Sequence, residues 1–166
     1  MPICHVVDRF MVSVDPLGIH NDLAGLDHFI PSKDEVEIEW LPETHRNGYV
    51  IYVIGGTGFT KILPFEKMVE LCDKINRPIV LIGGKEDFDR GEKLVNFFSR
   101  SAASEPFEDG LKALNKKAII FNGCGTFNLN QSASLVKQAD YVFGHDTGLT
   151  HISAAFKKVV YIIWGG

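Results

Sequence analysis

The sequence predicts an α/β protein built on a doubly wound parallel sheet. From residue 49 onwards, short apolar runs of strand length alternate with longer segments of helical periodicity. The runs are continuously apolar, which is typical of strands buried on both faces of a parallel sheet. Right-handed crossovers would place helices on both faces, giving a Rossmann-like domain with strand order 3-2-1-4-5. In such sheets ligands bind between the first and fourth strands, at their carboxyl ends.

Composition limits the classes of function. The 166 residues suit one domain, and 45% hydrophobic with 23% charged residues is typical of a soluble globular protein. The net charge of −4 gives no reason to expect nucleic-acid binding. No apolar run reaches the roughly 18 to 20 residues of a transmembrane segment, and no signal peptide is visible. The cysteines are few and widely spaced, which fits a reduced, cytoplasmic chain without a metal-ligand motif.

The part of the chain before residue 49 reads as a lead-in. Residues 5–18 have apolar positions at helical spacing, and the following stretch is polar and interrupted by two prolines. One possible strand lies at Val36 to Glu39. We therefore interpret residues 1–48 as a linker helix with an irregular lead-in from an N-terminal domain, and residues 49–166 as the Rossmann-like domain.

Strands and helices alternate through the rest of the chain. The predicted strands are residues 49–54, 78–84, 118–121, 140–144 and 159–165. The predicted helices are residues 64–76, 86–100, 129–138 and 147–156. Pro64 is favoured in a first helical turn. The acidic start of the second of these helices and its Arg100 match the helix dipole.

The loop after the first strand is rich in glycine and hydroxyl groups. GGTGF is similar to the dinucleotide fingerprint of short-chain dehydrogenases, whose glycines allow a tight turn and close approach of a pyrophosphate. Lys61 occupies the last glycine position, however, the helix begins late at Pro64, and the Tyr-x-x-x-Lys pair of that class is absent. Backbone N–H groups, Thr57, Thr60 and Lys61 could together bind an anion. A plain turn with a solvated lysine would give the same pattern.

The stretch GHDTGLTH, after the fourth strand, is the most informative part of the sequence. We expect Asp146 to cap a helix that Thr147 and Gly148 open, so that free N–H groups there attract an anion. Gly148 would also let this helix pack closely on the sheet, and His151 would lie one turn further on. A capping aspartate and a partly buried histidine could be purely structural. Convergence with the loop that carries Lys61 favours a binding site.

These motifs resemble glycosyltransferase family 9, the heptosyltransferase family of lipopolysaccharide assembly. The resemblance spans about residues 49–166. Its pieces are Lys61-x-x-Pro64, LIGGKED, LNQSASLVKQADYVFGHDTGLTHISAAF and VVYIIWG. It implies that the chain is the C-terminal, nucleotide-sugar-binding half of a two-domain GT-B fold. The catalytic base would lie in the N-terminal domain, so no catalytic residue is expected in this chain, which alone would be an inactive fragment.

The resemblance also assigns roles to individual residues. The residues that would contact the diphosphate are Thr57, Thr60 and Lys61. Glu86 would accept the ribose hydroxyls, although an acid at an early helical position could equally serve the dipole. The residues that would hold the sugar–diphosphate side are Asp146, Thr147, Gly148 and His151.

The implied reaction transfers a heptose-like sugar from a nucleotide diphosphate sugar, similar to ADP-heptose, to a lipopolysaccharide or other glycan or lipid-linked acceptor. Neither a metal nor another cofactor is expected. The stretch Asp87-Phe88-Asp89 spells the DxD metal motif of a different glycosyltransferase fold, but its acidic first turn favours a solvated face. The predicted location is cytoplasmic, compatible with peripheral association at the inner face of the inner membrane.

Two alternatives remain open at this point. One is a fragment of an NAD-dependent, short-chain-dehydrogenase-like oxidoreductase, against which Lys61 and the missing Tyr-x-x-x-Lys pair argue. The other is a sugar-nucleotide binding module that has no catalytic activity.

Overall fold

A five-stranded parallel sheet forms the centre of the computed structural model, which describes residues 6–56, 62–99 and 118–164. The strands are β1 (Val50–Val53), β2 (Ile79–Ile82), β3 (Ile120–Asn122), β4 (Val142–His145) and β5 (Val160–Ile163). Their order is β3-β2-β1-β4-β5, and each neighbouring pair is parallel. The predicted fold class and strand order are confirmed.

Helices cover both faces of the sheet. Those in the described ranges are α1 (Val6–Val12), α2 (Phe65–Lys74), α3 (Phe88–Ser99), α4 (Leu129–Gln138) and α5 (Gly148–Ala155). Helix α1 is shorter than predicted and is followed by a 3-10 turn at Asp15–Leu17. A second such turn, Lys85–Asp87, leads into α3. In the part of the chain that is described, no helix is long and apolar enough to cross a membrane.

Strand β1 divides the core into two layers. Ile51 and Val53 point into an apolar cluster with Leu135 of α4, whereas Tyr52 points into a second cluster with Met68 of α2. This alternation follows from the two-residue period of a strand. The helices that precede β3, α2 and α3, pack on one face of the sheet, and the helices that follow it, α4 and α5, pack on the other. The change of face places the topological switch point between β1 and β4.

Part of the lead-in contributes to the core. Val36 and Leu41 are buried in the cluster on the α4 face. The Val36 N–H donates to the Ser134 hydroxyl at 2.9 Å, and its carbonyl accepts from the Gln138 side chain at 2.7 Å. The predicted strand at Val36 to Glu39 is wrong, because this segment lies across α4 instead of beside a sheet edge and forms a 3-10 turn, Ile38–Trp40.

The lead-in also holds the start of α4. The Asp34 carboxylate accepts hydrogen bonds from the side-chain amides of Asn128 at 3.0 Å and Asn130 at 3.2 Å. These two bonds lower the pKa of Asp34 below its usual range. Asn128 in turn caps α4, since its side chain accepts from the Gln131 N–H at 2.8 Å. The residues before the sheet domain thus support an element at its ligand end.

We predict that Leu41→Ala lowers the free energy of unfolding by about 2–5 kcal/mol, the range for a buried leucine. Leu41 is 1% exposed inside the core, whereas Leu17 is 75% exposed. Leu17→Ala, the matched control, should change stability by less than about 0.5 kcal/mol. Urea denaturation of both variants measures the difference. Equally small effects would show that the lead-in does not unfold together with the sheet.

Candidate functional site

A cleft of about 400 Å³ opens at the carboxyl ends of β1, β2 and β4. This volume lies within the range of small-molecule sites. Its polar edge comes from three segments and includes Gly55, Gly56, Gly83, Gly84, Glu86, Asp146, Thr147 and Gly148. Its apolar edge includes Val53, Ile82, Phe127, Leu129 and Leu149. The cleft therefore lies at the predicted switch point.

The start of α5 forms one wall of the cleft. Thr147, not Asp146, is the residue that precedes the first helical residue, so the predicted cap is wrong by one position. The Thr147 N–H donates to the Thr150 hydroxyl oxygen at 3.2 Å. Asp146 is engaged elsewhere, since its carboxylate lies 3.2 Å from Nε2 of His151. This ion pair draws the carboxylate towards His151, one turn along the helix.

The start of α5 is open to a ligand at Gly148. The Thr147 hydroxyl oxygen is buried and turned to the Thr150 N–H in a capping box, so it is not exposed to the cleft. A Cβ atom added at Gly148 would meet no atom within 4 Å, so Gly148 faces open space instead of packing closely on the sheet as predicted. Ser153 of the same helix is fully buried, and its hydroxyl donates to the Leu149 carbonyl at 2.7 Å. The first N–H groups of α5 have no acceptor within the helix.

Glu86 stands at the opposite wall. It lies in the Lys85–Asp87 turn after β2, and its side chain is exposed. Its carboxylate folds back over Gly84, where a Cβ atom would collide with it. Glu86 also borders a neighbouring hollow that Arg90 and Lys93 line. The structure thus brings Glu86 to the same cleft as Asp146, Thr147 and Gly148, whereas His151 lies behind Asp146 and is largely exposed.

The residues predicted to contact the diphosphate from the β1–α2 loop have no described position. Thr57, Thr60 and Lys61 lie outside the described residues. The chain on either side of them is described: Gly55 and Gly56 line the cleft, and α2 begins at Phe65.

An ion pair between the buried Asp87 and the half-buried Arg90 lies beside the glycines of the cleft. Asp87 is 3% exposed; its Oδ2 accepts the Gly84 N–H at 2.9 Å and its Oδ1 pairs with Arg90 at 2.8 Å. Arg90 also donates to the Ile54 carbonyl at 3.4 Å. The expected solvated face therefore holds for the exposed Asp89 but is wrong for Asp87. The pair connects the ends of β1 and β2.

Asp87 explains why both of these strands end in Ile-Gly-Gly. A Cβ atom added at Gly55 or at Gly83 would lie 2.8 Å or 2.7 Å from Oδ2 of Asp87. Real Cβ contacts of this length would force one group to move. The glycines read from the sequence as room for phosphate thus also make room for a carboxylate. The repeated Ile-Gly-Gly, whose second copy is followed three residues later by Asp87, is a signal that sequence reasoning missed.

His145, the last residue of β4, is a second buried polar group that the sequence did not single out. It is 1% exposed, and its Nε2 accepts the Leu63 N–H at 3.1 Å. Burial lowers the pKa of His145, and the nearby Arg90 guanidinium lowers it further. The available signal was its position: it shares a strand face with Phe143, where an apolar side chain would be expected.

The fold and the cleft define a doubly wound α/β domain with a ligand site at its switch point. A family model, glycosyltransferase family 9 (heptosyltransferase), matches residues 64–165. The chain belongs to this family. No curated protein sequence matches it.

Solved structures of glycosyltransferases have the same fold. One from Veillonella parvula, a family 9 glycosyltransferase, has a TM-score of 0.68 at 18% identity, over 96% of this chain and 43% of its own. ADP-heptose LPS heptosyltransferase II of E. coli has a TM-score of 0.64 at 16% identity, over 89% and 42%. E. coli heptosyltransferase WaaC with ADP-2-deoxy-2-fluoro heptose has a TM-score of 0.60 at 18% identity, over 99% of this chain and 46% of its own.

The chain therefore spans less than half the length of these neighbours. Its sheet is the Rossmann-like sheet predicted for the C-terminal half of a GT-B glycosyltransferase. Nothing in the comparisons supports the dehydrogenase alternative. Within the described ranges, no three His, Cys, Asp or Glu side chains form a group that could hold a metal ion.

We predict that alanine destabilises the fold at one glycine of the cleft and has little effect at another. Gly83→Ala should lower the free energy of unfolding by about 1–3 kcal/mol, the usual cost of overpacking, because its Cβ meets Asp87. Gly148→Ala should change it by less than about 0.5 kcal/mol, because its Cβ meets open space. Chemical denaturation measures both.

A double-mutant cycle identifies the cause. The cost of Gly83→Ala should shrink when Asp87→Gly is already present, because the Asp87 carboxylate oxygen and Cβ atom, 2.7 Å and 2.8 Å from the added Cβ atom, are both gone. An unchanged cost in that background would contradict the role assigned to Asp87.

Proposed function

We propose that the cleft binds the nucleoside diphosphate of a nucleotide sugar similar to ADP-heptose, and that the domain is the donor-binding half of a glycosyltransferase. The observation that carries this proposal is the start of α5 at the cleft, where the bare face of Gly148 leaves room for a ligand beside the first N–H groups of the helix. Family membership supports it. The neighbour WaaC, which is described with ADP-2-deoxy-2-fluoro heptose, provides a precedent in the same fold.

Hydrogen bonds supply more of the anion affinity than the helix dipole does. The dipole of α5 contributes only about 0.3–1 kcal/mol to an exposed charge. Its free N–H groups add donors, each worth about 1.5–3 kcal/mol towards a charged acceptor. Lys61, by resemblance, adds the cation that the described part of the polar edge lacks. Backbone donors and one lysine are a common design for phosphate sites.

The acid in the site needs a separate explanation. Asp146 would repel a diphosphate if its charge were uncompensated. Its carboxylate is 3.2 Å from Nε2 of His151, which limits this repulsion when the imidazole is protonated. Asp146 can then accept hydrogen bonds from sugar hydroxyls. Glu86, at the opposite wall, would accept the ribose hydroxyls as an acid does in other nucleotide-binding α/β folds.

The reaction we propose for the full-length protein is a displacement at the anomeric carbon of the donor. A bond forms from the acceptor hydroxyl oxygen to that carbon, and the bond from the carbon to the diphosphate oxygen breaks. The acceptor proton passes to a base outside this chain. The nucleoside diphosphate leaves with the bonding electrons, and Lys61 with the start of α5 stabilises its charge. A glycan or lipid-linked acceptor and a cytoplasmic location belong to the same proposal.

The proposal predicts that Lys61→Ala weakens ADP binding by roughly tenfold or more, because a charge-assisted contact to the diphosphate is lost. Lys67→Ala is the matched control, because Lys67 is exposed and paired with Glu70 on α2. Isothermal titration calorimetry of the 166-residue chain measures both affinities. Equal weakening by the two substitutions, or by neither, would contradict the assignment of Lys61.

A second prediction concerns Glu86 and the ribose. The wild-type chain should bind ADP more tightly than 2′-deoxy-ADP, because a hydroxyl partner of the carboxylate is missing from the latter. Glu86→Ala should reduce this preference to near unity. Asp89→Ala, which removes an exposed acid of the same region, should keep the preference. A preference that survives Glu86→Ala would place the ribose elsewhere.

A further inference from the structure

The imidazole of His145 connects two loops of the cleft. It projects from the end of β4, directly before Asp146 and Thr147, and its Nε2 accepts the N–H of Leu63. Leu63 is 82 residues away in sequence. It follows Lys61 by two positions and precedes Pro64, which caps α2 and has no N–H of its own. One side chain thus holds the point where the chain returns from the β1–α2 loop.

The hydrogen bond fixes the state of the imidazole. Because Nε2 accepts a hydrogen bond, the proton of the neutral ring is on Nδ1. Within the described ranges, Nδ1 has no acceptor at hydrogen-bond geometry. The backbone of Gly55, at the start of the same loop, interacts with the ring as well. His145 is therefore close to both ends of the β1–α2 loop.

We propose that His145 is a positioning residue for the donor: its bond to Leu63 holds the point where the chain enters α2 at a fixed distance from the start of α5, and so shapes the wall at which the diphosphate binds. This inference rests on the proposed function. His145 itself touches no ligand in it. Its neutral imidazole supplies a buried acceptor for the Leu63 N–H.

The charged and titratable groups facing His145 determine its response to pH. Arg90 of α3 disfavours the imidazolium, Asp87 favours it, and the Tyr52 ring of β1 lies 6.3 Å from the imidazole. Burial is the largest effect, and the pKa is lowered from its ordinary value of about 6.5. The neutral form is favoured by folding, so its stabilising contribution is complete above about pH 6.5 and is lost as the pH falls towards the folded-state pKa. Protonation would place an N–H against the Leu63 N–H.

Three variants separate positioning from general stability. His145→Gln keeps an acceptor near Nε2 but cannot titrate, and His145→Leu removes the acceptor. His45→Gln is the matched control. His45 is equally buried, also has a pKa lowered by burial, and bonds the Ile79 carbonyl at the other end of the sheet.

The measurement is ADP affinity by calorimetry at about pH 7.5, where the neutral imidazole is favoured. We expect His145→Leu to bind roughly tenfold more weakly, the effect of one lost hydrogen bond. His145→Gln, which keeps the acceptor, and His45→Gln should bind ADP as wild type does.

The outcomes are distinct. Unchanged affinity in His145→Leu, or the same loss of affinity in His145→Gln as in His145→Leu, would overturn the inference. If wild type binds no ADP at all, the proposed function fails, and amide hydrogen exchange decides the positioning bond. Leu63 should then exchange slowly in wild type and His145→Gln and faster in His145→Leu; equal rates would overturn the bond as well.

Discussion

The complete burial of β1 is the constraint on which the rest of the structure depends. All four residues from Val50 to Val53 are buried, so this strand needs a neighbour on each side and a helical layer on each face. Strands β2 and β4 supply the neighbours, and α2 to α5 supply the layers. Since the connections must change face at β1, the loops after β1 and β4 diverge there. The cleft is the direct consequence of that divergence.

Polar groups beneath the cleft keep its loops in place. The buried Asp87 carboxylate is compensated by the half-buried Arg90 guanidinium, and between them the two side chains hold the Gly84 N–H and the Ile54 carbonyl. His145 adds a contact from β4. Side chains at the floor of the cleft therefore hold the ends of the loops that surround it.

Features set by local interactions were predictable from the sequence. Helix α4 was predicted residue for residue, because Asn128 and Gln131 specify its start within one turn. The strand order was expected as the default for a doubly wound sheet, and the structure has it. Glu86, Asp146, Thr147 and Gly148 do line one cleft, although their roles in binding stay predictions.

Features set by distant partners were not predictable. The start of α5 was misplaced because the choice between Asp146 and Thr147 depends on how Asp146 meets His151 and how Thr147 meets Thr150. The segment at Val36 was misread as a strand because its backbone partners lie about a hundred residues away on α4. His145 was missed because a single sequence does not show which backbone N–H a buried imidazole accepts.

The central claim, that the cleft recognises a nucleoside diphosphate, is tested most directly by calorimetric titration of the chain with ADP, AMP and adenosine. The account predicts that affinity falls at each step as phosphate groups are removed, by roughly tenfold or more from ADP to adenosine, because the start of α5 and Lys61 act on the diphosphate. Equal affinity for ADP and adenosine, or no binding of ADP, would contradict it.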